Sequence, residues 1–229
     1  MQSQKRDVKF FVLHGFGGGT YEVEPLVERL RKSGYEVFAP ILKGHQGSSS
    51  KMAKTTYREW IESAEIHLAQ FTDNSENVIF IGFSMGGLIG FNLSQDKKFK
   101  AIVTINTPIF FWNIPQVFRN LMEDIKNMRT ENIRRYIRAK KNSPIRSMIQ
   151  FLIMLGKTKS KLDDVHSPIL VVQALDDDTV RLKSAEYILN NVSSEDKQAF
   201  YVDRGGHLVL LSPKGDRVIE KILNWEALS

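Results

Sequence analysis

Cysteine is absent from this chain of 229 residues, and its absence excludes several kinds of chemistry. No disulfide can form, no thiolate can act as a nucleophile, and zinc or iron–sulfur sites built on cysteine are ruled out. Long apolar runs are scarce too. The most apolar helix-like stretch, residues 147–155, is far shorter than the roughly 20 residues that cross a bilayer. Residues 10–13 are too short an apolar run for a signal peptide, so we expect a cytoplasmic protein.

Charge is unevenly distributed along the chain. The net charge is +6, but residues 109–161 alone carry twelve Lys or Arg and three Asp or Glu, a balance of +9. The rest of the chain is therefore about −3. The basic segment has no nucleic-acid recognition motif and no interleaved aromatic residues, so we expect no nucleic-acid partner.

Short runs rich in β-branched and aromatic residues alternate with stretches of helical periodicity. The predicted strands are residues 8–13, 35–39, 78–81, 101–105, 169–174 and 198–202. The predicted helices are residues 21–33, 56–71, 85–94, 182–192 and about 213–227, the last with Ser212 as its N-cap. This alternation predicts an α/β fold, with a mostly parallel central sheet flanked by helices on both faces.

Residues 108–161 interrupt this alternation, because they carry helical periodicity and no strand signal. Short helices are predicted at residues 119–126, 131–139 and 144–155. An insertion of this kind between two strands is typical of a cap above the carboxyl edge of the sheet. We therefore predict one domain, residues 1–229, with a core of residues 1–107 and 162–229 and a helical cap at residues 108–161.

Three glycine-containing motifs carry the candidate chemistry. Residues 82–86 read G-F-S-M-G, a G-x-S-x-G pattern between a buried strand and a helix, where a sharp turn exposes the hydroxyl of Ser84 as a nucleophile. Residues 13–18 read L-H-G-F-G-G and leave backbone N–H groups free to bind a substrate oxygen, together with the N–H of Met85. The alternative reading of that loop as a phosphate cradle lacks the correct glycine spacing and a following lysine. His14 is interpreted as a structural anchor of the loop.

A base and an acid complete the pattern. Residues 205–207 read G-G-H after the last predicted strand, which makes His207 the candidate base. Asp176, Asp177 and Asp178 follow the strand at residues 169–174, and they cannot all face one histidine. The aspartates that do not face it are expected to be solvated turn residues. The order Ser, Asp, His along the chain is the order found in α/β-hydrolases, whichever aspartate is used.

The chain resembles the α/β-hydrolase superfamily, in particular the small bacterial carboxylesterases and monoacylglycerol lipases. The resemblance covers residues 8–108 and 165–225 and rests on the glycine motifs above, on residues 35–48 and on residues 167–180. It implies a catalytic triad of Ser84, Asp177 and His207, since Val180 stands three residues after Asp177 as in that family. It also implies Phe16 and Met85 as oxyanion-hole donors, hydrolysis of carboxylic esters through an acyl-enzyme, and no cofactor or metal. The run G-H-Q-G-S at residues 44–48 departs from the G-H-G-x-S of many relatives.

The cap suggests how a small-molecule or lipid ester is bound. Its apolar residues either line an acyl pocket or only pack the cap onto the core; the candidates for substrate binding are Phe110, Phe111, Trp112, Met148 and Leu152. Its basic residues form either a solvated face or a weak contact with an anionic membrane surface; they are Arg134, Arg135, Arg138, Lys140, Lys141 and Arg146. A perhydrolase or an amidase with the same triad, and a binding protein without turnover, are the alternative functions.

Overall fold

The computed structural model describes residues 8–47, 49–73, 75–110 and 144–225. Within them lies a six-stranded sheet with the order β2-β1-β3-β4-β5-β6. Every pair of neighbouring strands in it is parallel. The predicted α/β fold with a parallel sheet is therefore confirmed. The predicted helices at residues 119–126 and 131–139 lie outside the described residues, and the boundaries of the cap stay a prediction.

Strands and helices alternate along most of the described chain. The strands are β1 Lys9–Leu13, β2 Glu36–Phe38, β3 Val78–Phe83, β4 Ala101–Ile105, β5 Ile169–Ala174 and β6 Lys197–Val202. The α-helices are α1 Glu24–Lys32, α2 Ser49–Ala53, α3 Tyr57–Phe71, α4 Met85–Leu93, α5 Ile145–Thr158, α6 Lys183–Asn191 and α7 Gly215–Leu223. None of the helices that the structure describes is both long and apolar enough to span a membrane.

The sheet separates two apolar layers. Successive residues of β3 point alternately to opposite faces, so Phe80 packs in one layer while Ile79 and Ile81 pack in the other. Helices α3, α4, α5 and α6 cover the first face, and α1 and α7 cover the second. All residues of β3, β4 and β5 are buried, because each of these central strands is covered on both faces.

The direction of chain winding reverses at β1. From β1 the chain crosses to β2 on one side, and then returns past β1 to form β3 on the other side. In open parallel sheets, ligands bind at the carboxyl ends of the strands next to such a reversal. The loop after β1 and the turn after β3 meet at this edge, and both carry predicted site residues.

Helix α3 begins with a capping box, which matches the T-x-x-E pattern of residues 56–59. The Thr56 hydroxyl accepts a hydrogen bond from the Glu59 N–H, and the Glu59 carboxylate accepts one from the Thr56 N–H. Trp60 follows in the same turn, is fully buried and donates its indole N–H to the Thr55 hydroxyl at 2.8 Å. The capping box at the start of α3 thus sets the position of a large core side chain.

The last helix differs from its prediction. It begins at Gly215 instead of Pro213, and Lys214 is its N-cap. The Ser212 hydroxyl donates to the Val209 carbonyl at 2.7 Å, at the end of a short 3-10 helix at Val209–Leu211, and accepts the N–H of Lys214 at 3.1 Å. The helix ends at Leu223, short of the predicted residue 227, since Asn224 and Trp225 have left the helical conformation.

Candidate functional site

Ser84 lies on a strained turn between β3 and α4. Its backbone has φ 51° and ψ −117°, a combination that residues with a side chain rarely adopt. The turn is held from below by the Ser84 N–H, which donates to the Ile105 carbonyl at 2.8 Å. Glycine is needed on both sides of the serine: a Cβ at Gly82 would clash with the first turn of α4, and one at Gly86 would lie 2.6 Å from the Leu13 carbonyl oxygen. The G-x-S-x-G pattern is thus explained by close backbone packing.

His207 and Asp177 form a hydrogen-bonded pair. The Nδ1 atom of His207 lies 2.9 Å from Oδ2 of Asp177, whose side chain is completely buried. The second carboxylate oxygen, Oδ1, accepts hydrogen bonds from the N–H groups of Thr179 at 2.8 Å and Val180 at 2.9 Å. These contacts hold Asp177 as an acceptor, so Nδ1 of His207 carries the proton in this pair.

The pair lies beside the turn that carries Ser84. The imidazole of His207 packs against the ring of Phe83, the residue before Ser84, with 5.2 Å between ring centroids. Burial, the largest single influence, lowers the pKa of His207. The charge and hydrogen bond of Asp177, together with smaller contributions from Glu22 and Asp178, outweigh burial and raise the pKa above its usual value. The imidazolium form is therefore better stabilised here than in a free histidine.

The three adjacent aspartates have different partners. Asp176 accepts the Gly206 N–H at 2.7 Å, and Asp177 faces His207. Asp178 accepts the Thr179 hydroxyl at 3.0 Å and is only 2% exposed. The expectation that Asp178 is a solvated turn residue is wrong, because the turn folds its carboxylate inward. The geometry favours Asp177 as the partner of His207, as the resemblance implied.

The glycine-rich loop after β1 is anchored by His14. Its Nε2 accepts the Leu42 N–H at 3.2 Å, so the ring proton is on Nδ1, which lies 2.9 Å from the Gly15 carbonyl oxygen. Burial lowers the pKa of His14 to about 4, which keeps the ring neutral at physiological pH. The Gly15 carbonyl and the Phe16 N–H belong to one planar peptide unit and point in opposite directions. His14 therefore also sets the direction of the Phe16 N–H.

The two predicted oxyanion donors are available for binding. Among the hydrogen bonds of the described residues, none uses the N–H of Phe16 or of Met85. Met85 is the first residue of α4, so its N–H belongs to the positive end of that helix. The ring of Phe16 packs against Phe151 of α5 and Trp60 of α3, with centroid distances of 5.0 Å and 5.7 Å. The role of these two N–H groups stays a prediction.

Sequence reasoning missed Asn106, which follows β4 and has φ 48°. Its amide N–H group donates to the carbonyls of Gly206 at 3.0 Å and His207 at 2.7 Å. Its amide oxygen accepts the Ala174 N–H at 2.8 Å. Asn106 therefore joins the end of β4 to the end of β5 and to the loop that carries His207. The sequence signal that could have pointed to Asn106 is a polar residue directly after an apolar strand.

The predicted substrate-binding residues fall into three groups. Phe111 and Trp112 lie outside the described residues. The Phe110 ring lies between the ammonium groups of Lys159 and Lys183, at 4.8 Å and 4.1 Å from its centroid. Met148 is partly buried against the core, whereas Leu152 is 48% exposed. Phe151 faces the glycine-rich loop in place of Leu152, and sequence reasoning did not single it out.

Of the basic cap residues, only Arg146 lies within the described residues, and it is exposed. The described residues hold no group of three or more His, Asp or Glu side chains that could bind a metal ion.

A family profile described as the alpha/beta hydrolase fold matches residues 10–127, just over half of the chain. That stretch contains β1 to β4, the glycine-rich loop and the turn that carries Ser84. The chain belongs to the α/β-hydrolase fold family.

Known relatives of this α/β-hydrolase are ester hydrolases. A thermostable monoacylglycerol lipase of Bacillus sp. (strain H-257) is 26% identical, with 96% of this chain and 90% of the relative covered. A carboxylesterase of Bacillus subtilis (strain 168) is 24% identical, with 96% and 92% covered. A soluble variant of monoglyceride lipase from Saccharomyces cerevisiae, solved with a substrate analogue, has the same fold, with a TM-score of 0.75, 17% identity and coverage of 98% and 87%. These comparisons confirm the predicted family and support the predicted class of enzyme, a serine ester hydrolase.

Proposed function

We propose that this α/β-hydrolase cleaves carboxylic esters through an acyl-enzyme formed on Ser84. The observation that carries the proposal is the 2.9 Å pair of His207 Nδ1 and buried Asp177, next to the strained turn of Ser84. The substrates we propose are esters of short to medium acyl chains or monoacylglycerols. The names of the two Bacillus relatives support this substrate class.

The reaction follows from the tautomer of His207. Because Nδ1 donates to Asp177, Nε2 has a lone pair that takes the proton of the Ser84 hydroxyl as its oxygen attacks the ester carbonyl. The Asp177 carboxylate stabilises the imidazolium that forms, in line with the raised pKa of His207. The imidazolium then donates the proton to the departing alkoxide, which leaves as the alcohol. A water molecule, deprotonated by the same Nε2, attacks the acyl-enzyme, and Ser84 recovers its proton.

The negative charge on the carbonyl oxygen is stabilised by the N–H groups of Phe16 and Met85. Donors aimed at such an oxyanion before the reaction begins lower the barrier, and loss of one donor costs about 3–4 kcal/mol in other serine hydrolases. The anchored Gly15 peptide and the start of α4 both hold these donors on rigid backbone. We propose further that the acyl chain lies along Phe16 of the glycine-rich loop and along Phe151 and Met148 of α5.

A fluorophosphonate probe tests the nucleophile. The probe should form one adduct, on Ser84, and Ser84→Ala should abolish both labelling and hydrolysis of p-nitrophenyl butyrate. Ser94→Ala is the matched control, because that hydroxyl lies at the other end of the same helix and donates to the Gly90 carbonyl. An adduct mapped to any other residue would refute the proposed triad.

A substrate panel tests the class of substrate. p-Nitrophenyl esters from acetate to palmitate, tested beside monoacylglycerols, should give a chain-length optimum among the shorter esters or turnover of the monoacylglycerols. Faster turnover of an amide, or of peroxide with a carboxylic acid, would favour the amidase or perhydrolase alternative. The cytoplasmic location and the contact of the basic cap with anionic membranes stay predictions.

A further inference from the structure

A buried carboxyl group that the proposed mechanism does not use lies under the glycine-rich loop. Glu22 ends the short 3-10 helix Thr20–Glu22, directly after the loop, and is only 7% exposed. Its Oε2 accepts the Gly15 N–H at 2.9 Å. Within the described residues no lysine or arginine forms an ion pair with Glu22, and a buried carboxyl group without such a partner is costly to ionise.

The loop is shaped around this carboxyl group. A Cβ at Gly18 would overlap the Glu22 carboxylate, and a Cβ at Gly15 would lie 3.2 Å from its Oε2 and 3.1 Å from the Phe83 ring. Any side chain at position 18 would therefore have to displace the Glu22 carboxyl group from its place under the loop. Since Glu22 holds the N–H of Gly15 and His14 holds its carbonyl, the backbone leading to the Phe16 N–H is fixed from both sides.

The same carboxyl group acts on His207 electrostatically. An ionised Glu22 is among the influences that raise the pKa of His207, and His207 in turn lowers that of Glu22. Other titratable groups near this pair are Asp177 and Asp178, which also act on His207, and His14, whose lowered pKa keeps it neutral. Phe83 contributes only an apolar ring. Glu22 is thus a second source of negative potential at the imidazole.

We propose that Glu22 is a positioning residue of the hydrolysis site: it holds the oxyanion loop at Gly15 and, when ionised, stabilises the imidazolium form of His207 alongside Asp177. This inference rests on the proposed function, because the imidazolium forms during acyl transfer. Burial raises the pKa of Glu22 to about 7 despite its hydrogen bonds. The second carboxylate therefore becomes fully charged only above neutral pH.

The test compares Glu22→Gln with the wild type. Glutamine keeps the size and an acceptor oxygen for the Gly15 N–H, but it removes the charge. We expect kcat for p-nitrophenyl butyrate to fall on the order of tenfold, equivalent to about 1.4 kcal/mol, with KM little changed. The acidic limb of the pH profile should move to lower pH, because the pKa of His207 falls. A purely structural role would lower the rate without moving that limb.

Glu28→Gln is the matched control, since Glu28 is exposed and forms an ion pair with Lys32 at 3.4 Å on the surface of α1. It should leave both the rate and the pH profile unchanged.

NMR titration gives a readout that does not depend on turnover. In the wild type, the side-chain carboxyl carbon of Glu22 should titrate near neutral pH, and the ring signals of His207 should report the same step. In Glu22→Gln that step should vanish and His207 should titrate at lower pH. A His207 titration that is identical in the two proteins would overturn the inference while leaving the proposed function intact. Failure of the wild type to hydrolyse any ester would instead overturn the proposed function.

Discussion

Replacing Asp177 by asparagine should remove catalysis by reversing the tautomer of His207. Oδ1 of Asp177 accepts two backbone N–H groups, from Thr179 and Val180, so the amide oxygen of asparagine must take that position. The amide NH₂ group then faces Nδ1 of His207 at about the distance that Oδ2 now has, 2.9 Å. Two donors cannot share this contact, so the imidazole proton moves to Nε2, and Nε2 can no longer accept the serine proton.

The expected loss is large and specific. By analogy with other triads, kcat for p-nitrophenyl butyrate should fall by roughly 10³–10⁴, which corresponds to about 4–5.5 kcal/mol of activation free energy. Fluorophosphonate labelling of Ser84 should slow in parallel. The thermal unfolding transition should remain cooperative, because the asparagine keeps both backbone hydrogen bonds.

The neighbouring aspartates provide matched controls. In Asp176→Asn the amide oxygen can still accept the Gly206 N–H, and in Asp178→Asn it can still accept the Thr179 hydroxyl. Each should therefore lose less than about tenfold in kcat. If Asp178→Asn were the crippling change, or if Asp177→Asn kept its rate within tenfold, the assignment of the acid and the tautomer argument would both be wrong.

Three further measurements test the electrostatics and the pocket. The value of kcat/KM should rise with pH as His207 loses its proton, and the midpoint should lie above about 6.5 because the pKa of His207 is raised. A rate that falls between pH 6 and 8 would contradict a histidine base. Glu22 should lower the free energy of unfolding as pH rises from about 4.5 to about 7. Its pKa is about 4.5 in the unfolded chain and about 7 in the folded protein, so within this window the folded state holds a proton that the unfolded state has lost. At about 1.4 kcal/mol per pKa unit, the free energy of unfolding of Glu22→Gln should rise relative to that of the wild type by on the order of 3 kcal/mol between pH 4.5 and pH 8. Urea unfolding measures this difference, and a difference that does not change with pH would refute the prediction. Phe151→Leu should shift the optimum toward longer acyl chains by opening space beside the loop, whereas exposed Leu152→Ala should not; equal effects in an ester panel would exclude Phe151 from the pocket.

Strands and turns that depend on residues close together in the sequence were the easiest to predict. Strands β4 and β5 have the predicted bounds, because continuous apolar runs mark strands buried on both faces. The turn of Ser84 was predictable for a similar reason, since the glycines that it needs are adjacent in sequence. Ser212 misled because its hydroxyl bonds the Val209 carbonyl and the Lys214 N–H in the turn before the last helix, which begins only at Gly215.

Contacts between distant parts of the chain could not be predicted. Asn106 bonds residues 68 and 101 positions further along, and nothing in its neighbourhood signals these partners. Glu22 reads as an ordinary polar residue at the start of a helix, and only the folded loop reveals that it is buried. The burial of Asp178 was missed because a run of acidic residues suggests a solvated turn.

Two consecutive residues at the end of β4 serve as a common reference point for the proposed nucleophile and base. The Ile105 carbonyl accepts the Ser84 N–H, and the Asn106 side chain binds the His207 carbonyl. Both residues are therefore held by the end of one buried strand. A shift of the outer strands does not by itself change the distance between the serine and the histidine. Drift of the peripheral strands during evolution, or thermal motion at the edges of the sheet, would change the surface of this protein long before it changed the alignment of those two side chains.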